Sequence, residues 1–157
     1  MHLVLVGDGP ELAKLQSKAA QLGVTEAVHF VGRRKDVGDW LAAMDVYVNC
    51  SISEGMSQSI LEAMAAGLPV AATEVGANAQ LVAESSVISA PCGLIAAAGD
   101  PAALADAVCS VAADPETRAA YSAAARRRHQ ELYAVDVMVA NYEALYGRLV
   151  NAGDAAG

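Results

Sequence analysis

Aromatic side chains are scarce in this chain of 157 residues, at 4%. Trp40 and Phe30 are each the only residue of their kind. The core must therefore be aliphatic, and the 55% hydrophobic content can supply it. Positive charge is also in short supply: ten Lys and Arg stand against eighteen Asp and Glu, a formal charge of -8. A polyanion would meet repulsion over most of such a surface, so no nucleic acid is expected as a partner. The basic residues cluster twice, as Arg33-Arg34-Lys35 and as Arg126-Arg127-Arg128. The second cluster reads as a solvated helix face, and Arg34 and Lys35 as a solvated turn. Cys50, Cys92 and Cys109 show no CxxC or metal-ligand spacing. Three unpaired cysteines in a chain of this size are expected to be reduced, buried thiols of a cytoplasmic protein. His2, His29 and His129 have no partner at i, i+4 and read as structural. No apolar run is long enough to cross a bilayer, and no basic-then-apolar leader opens the chain. No secretory signal is therefore expected.

What is present is alternation. His2–Val6, Val28–Val31, Val46–Val48, Val70–Ala72 and Gly93–Ala96 read as strands. Between them, Pro10 to about Leu22 reads as a helix with Leu12, Leu15, Ala19 and Leu22 on one face and Gly23 as its stop. Asp36 is placed as the cap of a short helix through Ala43. A helix through Ala66 is stopped by Gly67 and Pro69, and a short one surrounds Gln80–Ala83. Asp100-Pro101 and Asp114-Pro115 are two cap-plus-proline starts, the second opening a helix to about Leu132. Asp136 is placed as the cap of a last helix ending near Val150, whose Leu145–Leu149 end reads as core packing. Residues 1–150 form one domain, and residues 151–157 are expected to be a disordered tail. The order predicts an α/β fold: a Rossmann-like, doubly wound, mostly parallel sheet followed by C-terminal helices. Such sheets bind ligands beyond the carboxyl ends of their strands. The loops at Gly7–Gly9, Gly32–Lys35, Ser51–Ser57 and Thr73–Asn78 all follow strands, so they should share one rim.

Two carboxylates stand out on that rim. Glu54 and Glu62 bracket seven residues in SEGMSQSILEAMAAGLPV, one beside a glycine and one inside an apolar helical segment. A helix starting near Met56 or Ser57 would turn its free N–H groups toward the Glu54 loop, where a diphosphate fits. Glu62, on the second turn, would accept hydrogen bonds from adjacent hydroxyls such as those of a ribose. The competing reading is local: Ser59 and Glu62 also fit a capping box, S-x-x-E. Spacing alone leaves both open. The Gly7-Asp8-Gly9 turn has a competing dinucleotide-binding reading as well. Leu12 at the third glycine position, Pro10 directly after the turn, and Glu26 ahead of a strand instead of at its end all argue against it.

The longer string DVYVNCSISEGMSQSILEAMAAGLPV, residues 45 to 70, resembles the donor-binding half of GT-B-fold, retaining glycosyltransferases that use nucleotide-sugars. LVLVGDGPEL, FVGRRKDV, TEVGANAQLV and GLIAAAGDPAALADAV follow in the family's order, and the resemblance reaches about Leu149. It implies a hexosyltransferase whose donor is a UDP- or GDP-sugar, with no cofactor besides that donor substrate and no metal requirement. It implies no carboxylate nucleophile, the donor phosphate assisting deprotonation of a hydroxyl acceptor. Glu54, the catalytic candidate, would contact hydroxyls of the transferred sugar. Glu62 would bind the ribose, and the amides of Gly55, Met56 and Ser57 would face sugar and diphosphate. The Arg33 loop and Val37 would border the base, and Gly9 would sit near the nucleotide.

The chain also departs from the family pattern. The family's acceptor-binding domain, and the first strand–helix unit with its phosphate-clamping Arg and Lys, have no counterpart in these residues. We therefore expect a partial donor domain, with the absent strand falling between His2–Val6 and Val46–Asn49 and leaving sheet edges exposed. Such a chain should have little or no transferase activity alone, and its full enzyme would be cytoplasmic and peripheral to the membrane. Ala77 replaces a usual glycine, Gln80 a usual glutamate, Cys50 a common proline, and residues 84–92 a short turn. Two further readings stay open. One is a non-catalytic nucleotide-binding or interaction module that self-associates through the exposed edge. The other is a sugar epimerase or phosphorylase on the same fold, against which the Glu-Gly-x-Ser segment argues.

Overall fold

The computed structural model describes residues 1–83 and 90–154, and these form two compact units, Met1–Trp40 and Leu41 onward. The first unit holds β1 (Leu3–Val6), α1 (Leu12–Gln21), a 3-10 turn at Thr25–Ala27 and β2 (Val28–Gly32). β1 and β2 pair in parallel, with Leu3 opposite Val28. The helix begins two residues after Pro10, because the Leu12 amide turns back to the Gly9 carbonyl at 3.1 Å. A short helix, α2 (Val37–Ala42), carries the chain across the unit boundary. Asp36 does not lend its carboxylate to that helix. Both oxygens go to the Arg34 guanidinium, at 2.9 and 2.8 Å, and Arg34 lies over the Trp40 ring. That ion pair holds the Asp36 carboxyl below its ordinary range.

The second unit carries a three-stranded sheet in the order β3 (Tyr47–Asn49), β4 (Val70–Thr73), β5 (Gly93–Ala96), all parallel. β4 is central and buried along its length, and alternate residues feed opposite layers. Val70 and Ala72 pack with Ile60 and Met64 of α3 (Gln58–Ala66), Leu81 and Val82 of α4 (Asn78–Val82), and Ala124 and Ala125 of α6 (Pro115–Arg128). Ala71 faces the other way, toward Leu104 and Ala107 of α5 (Pro101–Ala113). Small residues on β4 let helices approach both faces, which is how a core almost without aromatics closes. α3 stops at Gly67, whose φ of 79° is the left-handed conformation that suits glycine.

The parallel α/β expectation holds. Among the described residues the strands form two sheets, β1-β2 and β3-β4-β5, and no ladder joins β1 to β3. Both cap-plus-proline starts form as read: Asp100 accepts from the Ala103 amide at 2.9 Å and Asp114 from the Glu116 amide at 3.0 Å. The helix after Pro115 ends at Arg128 and passes into a π-helical segment, His129–Tyr133. α7 (Val135–Asp154) then starts one residue before Asp136, which sits in its first turn and is not its cap. It continues to Asp154, four residues into the expected disordered tail, while residues 155–157 lie outside the described residues.

Three burial expectations are corrected. Only Cys92 is buried; Cys50 follows β3 in a loop and Cys109 lies on α5 off its buried face. Arg128 is not solvated, because it shares the inward face of α6 with Ala124 and Ala125. Its Nη1 donates to the Leu81 carbonyl at 2.6 Å and Nη2 to the Ala90 carbonyl at 2.5 Å. Leu145 and Leu149 are exposed, not core, on a stripe of α7 that also shows Met138, Tyr142 and Tyr146. Among the described residues no helix is long and apolar enough to cross a membrane. The unusual segment at 84–92 falls largely on residues 84–89, outside the described residues.

Candidate functional site

The carboxyl ends of β3 and β4 carry polar residues where the apolar strands stop: Asn49 and Thr73, both buried. The loop from Ser51 to Ser57 leaves β3 and is tied back to these ends. Thr73 Oγ1 donates to the Ser51 carbonyl at 2.6 Å. The Ala77 amide donates to the Gly55 carbonyl at 2.9 Å. Gly76, at a φ of 52°, brings its backbone so close to the Glu54 and Gly55 carbonyls that a Cβ there would collide with them. The two loops, Ser51–Ser57 and Thr73–Asn78, are thus brought together as the strand order predicts. In the first unit, the Gly7 amide likewise bonds the Gly32 carbonyl at 2.9 Å, joining its two post-strand turns.

Glu54 is half-buried and held through one oxygen. Ser51 Oγ donates to its Oε1 at 2.8 Å, and Asn49 Nδ2 lies 3.5 Å from the same atom. Among the described residues Oε2 has no hydrogen-bond partner in the protein. α3 begins just beyond, with Ser57 at its N-cap position. Ser57 is buried, but its hydroxyl does not cap the helix. It accepts from Asn49 Nδ2 at 3.2 Å and pairs with Ser59 Oγ at 3.1 Å. The first helical turn therefore keeps its amides free. The Leu61 amide is the first to bond back, to the Ser57 carbonyl at 3.3 Å. Gly55 and Met56 are exposed, and among the described residues the amides of Gly55, Met56 and Ser57 donate to no other group.

The helix register decides against the capping box. Ser59 is the second helical residue instead of the N-cap, so Ser59 and Glu62 cannot close the reciprocal pair. Glu62 is exposed on the second turn and, among the described residues, has neither a hydrogen-bond nor an ion-pair partner. Tyr47 stands beside both carboxylates. Burial pushes its phenol above the ordinary value, the Ser59 hydroxyl opposes this, and the charges of Glu62 and Glu54 push it further up. Gly9, Arg33 and Val37 belong to the first unit: Gly9 and Arg33 are exposed in its turns, and Val37 opens α2 half-buried.

Sequence reasoning missed the residues that hold the loop. The sequence places Asn49 at the end of a strand and Asn78 in a turn. Both are buried, and Asn78 Nδ2 donates to Asn49 Oδ1 at 3.3 Å and to the Thr73 carbonyl at 3.0 Å. An amide at the end of an apolar strand was the available signal for Asn49; nothing local marks Asn78. A groove of about 340 Å³ lies at the opposite ends of the strands, near Asp45, Gly67, Arg118 and Arg126. Its guanidinium groups turn back to helix-end carbonyls, Arg118 to Ala112 and Arg126 to Ala66.

The family model "Glycosyl transferases group 1" matches residues 1–114. A lipopolysaccharide core biosynthesis mannosyltransferase, LpsB of Rhizobium meliloti, is 36% identical over 145 residues, covering 90% of this chain and 40% of that protein. A GDP-mannose-dependent alpha-mannosyltransferase of Mycobacterium tuberculosis is 34% identical over 154 residues, covering 94% of this chain and 37% of its own length. Among solved structures, Anabaena Alr3699/HepE in complex with UDP superposes with a TM-score of 0.81 at 26% identity, over 94% of this chain and 41% of that one. The chain thus spans about two fifths of the length of these relatives.

Proposed function

The chain belongs to the group 1 glycosyl transferases, and on that premise we propose that residues 1–150 form the donor side of a hexosyltransferase using a nucleoside diphosphate sugar. Glu62 accepts the ribose hydroxyls. Glu54 accepts hydroxyls of the sugar through its unoccupied Oε2, and the free amides of Gly55, Met56 and Ser57 meet the diphosphate at the α3 N-terminus. Arg33 and Val37 border the base, and Gly9 lies near the nucleotide. A site of this kind works by holding the donor and stabilising the leaving diphosphate, with retention at the anomeric carbon. The acceptor side belongs to the part of the relatives' length that this chain does not span, so these residues alone transfer little or no sugar. Three free cysteines suit a reducing, cytoplasmic compartment, with the full enzyme at the membrane periphery.

One observation carries the reading: among the described residues Glu62, relieved of any capping duty, stands unpartnered on a helix whose first turn also keeps its amides free. Titration calorimetry with UDP, GDP, UDP-glucose and GDP-mannose tests it. One base series should bind, and Glu62→Ala should weaken the free nucleotide and its sugar alike, by about tenfold or more. Glu54→Gln should weaken only the sugar-bearing form. Absence of binding by the unmodified chain, together with a concentration-dependent dimer, would favour an interaction module pairing through the open edge of β3. Clear turnover with acceptor sugars would overturn the inactivity of the isolated chain.

A further inference from the structure

Asn49 and Asn78 sit 29 residues apart in sequence and meet at 3.3 Å in the buried floor beneath the Glu54 loop. Each primary amide has one donor end and one acceptor end, and the neighbours decide which end faces where. For Asn78 the decision lies with a backbone group. The Thr73 carbonyl, fixed at the end of β4, lies 3.0 Å from the Asn78 amide and can only accept. The NH₂ end of Asn78 must point to it. Turning the amide over would set Oδ1 against two acceptors, the Thr73 carbonyl and Asn49 Oδ1. The orientation holds even though it leaves Asn78 Oδ1 buried without a partner.

The consequence passes to Asn49. Its Oδ1 accepts the second Asn78 proton, so its own NH₂ end must face the other way. There it finds two acceptors, Ser57 Oγ at 3.2 Å and Glu54 Oε1 at 3.5 Å. Two protons meet two acceptors at each amide. The Ser51 amide also donates to Asn49 Oδ1, at 3.3 Å, but Ser51 belongs to the same loop as Glu54 and cannot reference that loop to the core. Asn78, on α4, and Asn49, on β3, can.

We propose that Asn78 is a positioning residue for Glu54: by fixing the orientation of the Asn49 amide, it ensures that the carboxylate meets a donor and not a carbonyl. Both donors, Asn49 Nδ2 and Ser51 Oγ, converge on Oε1, so Oε2 is presented to the ligand. The inference rests on the donor-site reading above. The 3.5 Å contact to Glu54 stands at the outer limit of a hydrogen bond, and engagement of Oε2 by a sugar hydroxyl would tighten it.

The test compares two isosteric variants, Asn78→Leu, which removes both donors, and Asn78→Asp, which offers acceptors only. Calorimetry with UDP against UDP-glucose, and GDP against GDP-mannose, gives the affinity advantage that the sugar confers. Both variants should keep the free-nucleotide Kd within about twofold and lose about tenfold of the sugar advantage. A general structural role would weaken both ligands together, and that result overturns the proposal. So does an unchanged sugar advantage in variants shown to be folded by their melting curves, when Glu54→Gln does lose it. If the unmodified chain binds no nucleotide, or Glu54→Gln leaves the sugar advantage intact, the donor-site reading fails and takes the inference with it. Should neither variant fold, the Asn49 side-chain amide resonances of the unmodified protein decide. They must shift on adding UDP-glucose but not UDP, or GDP-mannose but not GDP, and no difference overturns the proposal.

Discussion

Arg128 is the residue at which charge and burial are most at odds. It is 2% exposed, no carboxylate pairs with it among the described residues, and its Nε has no partner. The guanidinium nonetheless serves two carbonyls, Leu81 at the end of α4 and Ala90 before β5, and lies 3.7 Å from Cys92 Sγ. Burial is the first influence on that thiol and raises its pKa, with the Arg128 charge opposing. A cation placed among carbonyl oxygens acts as a clamp that ties α6 to the end of α4 and to the segment before β5. Arg128→Met keeps most of the volume and removes both charge-assisted bonds, leaving two carbonyls without their strong donors. It should destabilise the protein by about 2 kcal/mol in urea unfolding. Arg128→Lys, with a single nitrogen, should recover only part of that. An unchanged urea midpoint for the Met variant would show that the clamp adds nothing net.

At the scale of elements, the Glu54 loop depends on how closely the turn after β4 can approach it. Gly76→Ala would force an ordinary residue into left-handed backbone and drive its Cβ into the Glu54 and Gly55 carbonyls. The strain alone costs about 1–2 kcal/mol, and relief by backing the loop away moves the carboxylate. The expected outcome is a melting temperature lowered by several degrees with a weakened sugar-bearing donor; an intact sugar advantage in calorimetry would show the loop to be more tolerant. What the sequence revealed about these elements follows from how local each signal is. Asp100-Pro101, Asp114-Pro115 and Gly67 mark their helix ends within a few residues, and they form as read. The helix-start register at Ser57 is a matter of two residues, yet it separates a self-capped Glu62 from a free one. The pattern S-x-x-E could not resolve it. The burial of Arg128 answers to Leu81 on α4 and to Ala90 before β5, and the π-helical segment after it packs against α3, so no local reading reaches either. Asn78 is invisible for the same reason: its meaning comes from Thr73 and Asn49 in three dimensions.

The two units differ in what holds them, and that difference is measurable across the whole molecule. The second unit has a fully buried central strand with helices on both faces. The first has two strands and one ten-residue helix, and Ala19 is its single buried residue. A two-stranded sheet with so little buried apolar surface is marginal, whereas β4 can open only with the core. Hydrogen exchange should therefore separate them. Amides of the β1–β2 ladder should exchange through low-energy local openings, with protection about 2 kcal/mol or more below that of Ala71 and Ala72. Addition of a bound nucleotide tests the functional proposal in the same experiment. Arg33, Val37 and Gly9 belong to the first unit and Glu54 and Glu62 to the second, so a ligand engaging both sets must slow exchange in β1 and β2 as well as in the Glu54 loop. Protection gained only around Glu54 would confine the site to the second unit and remove Gly9, Arg33 and Val37 from it.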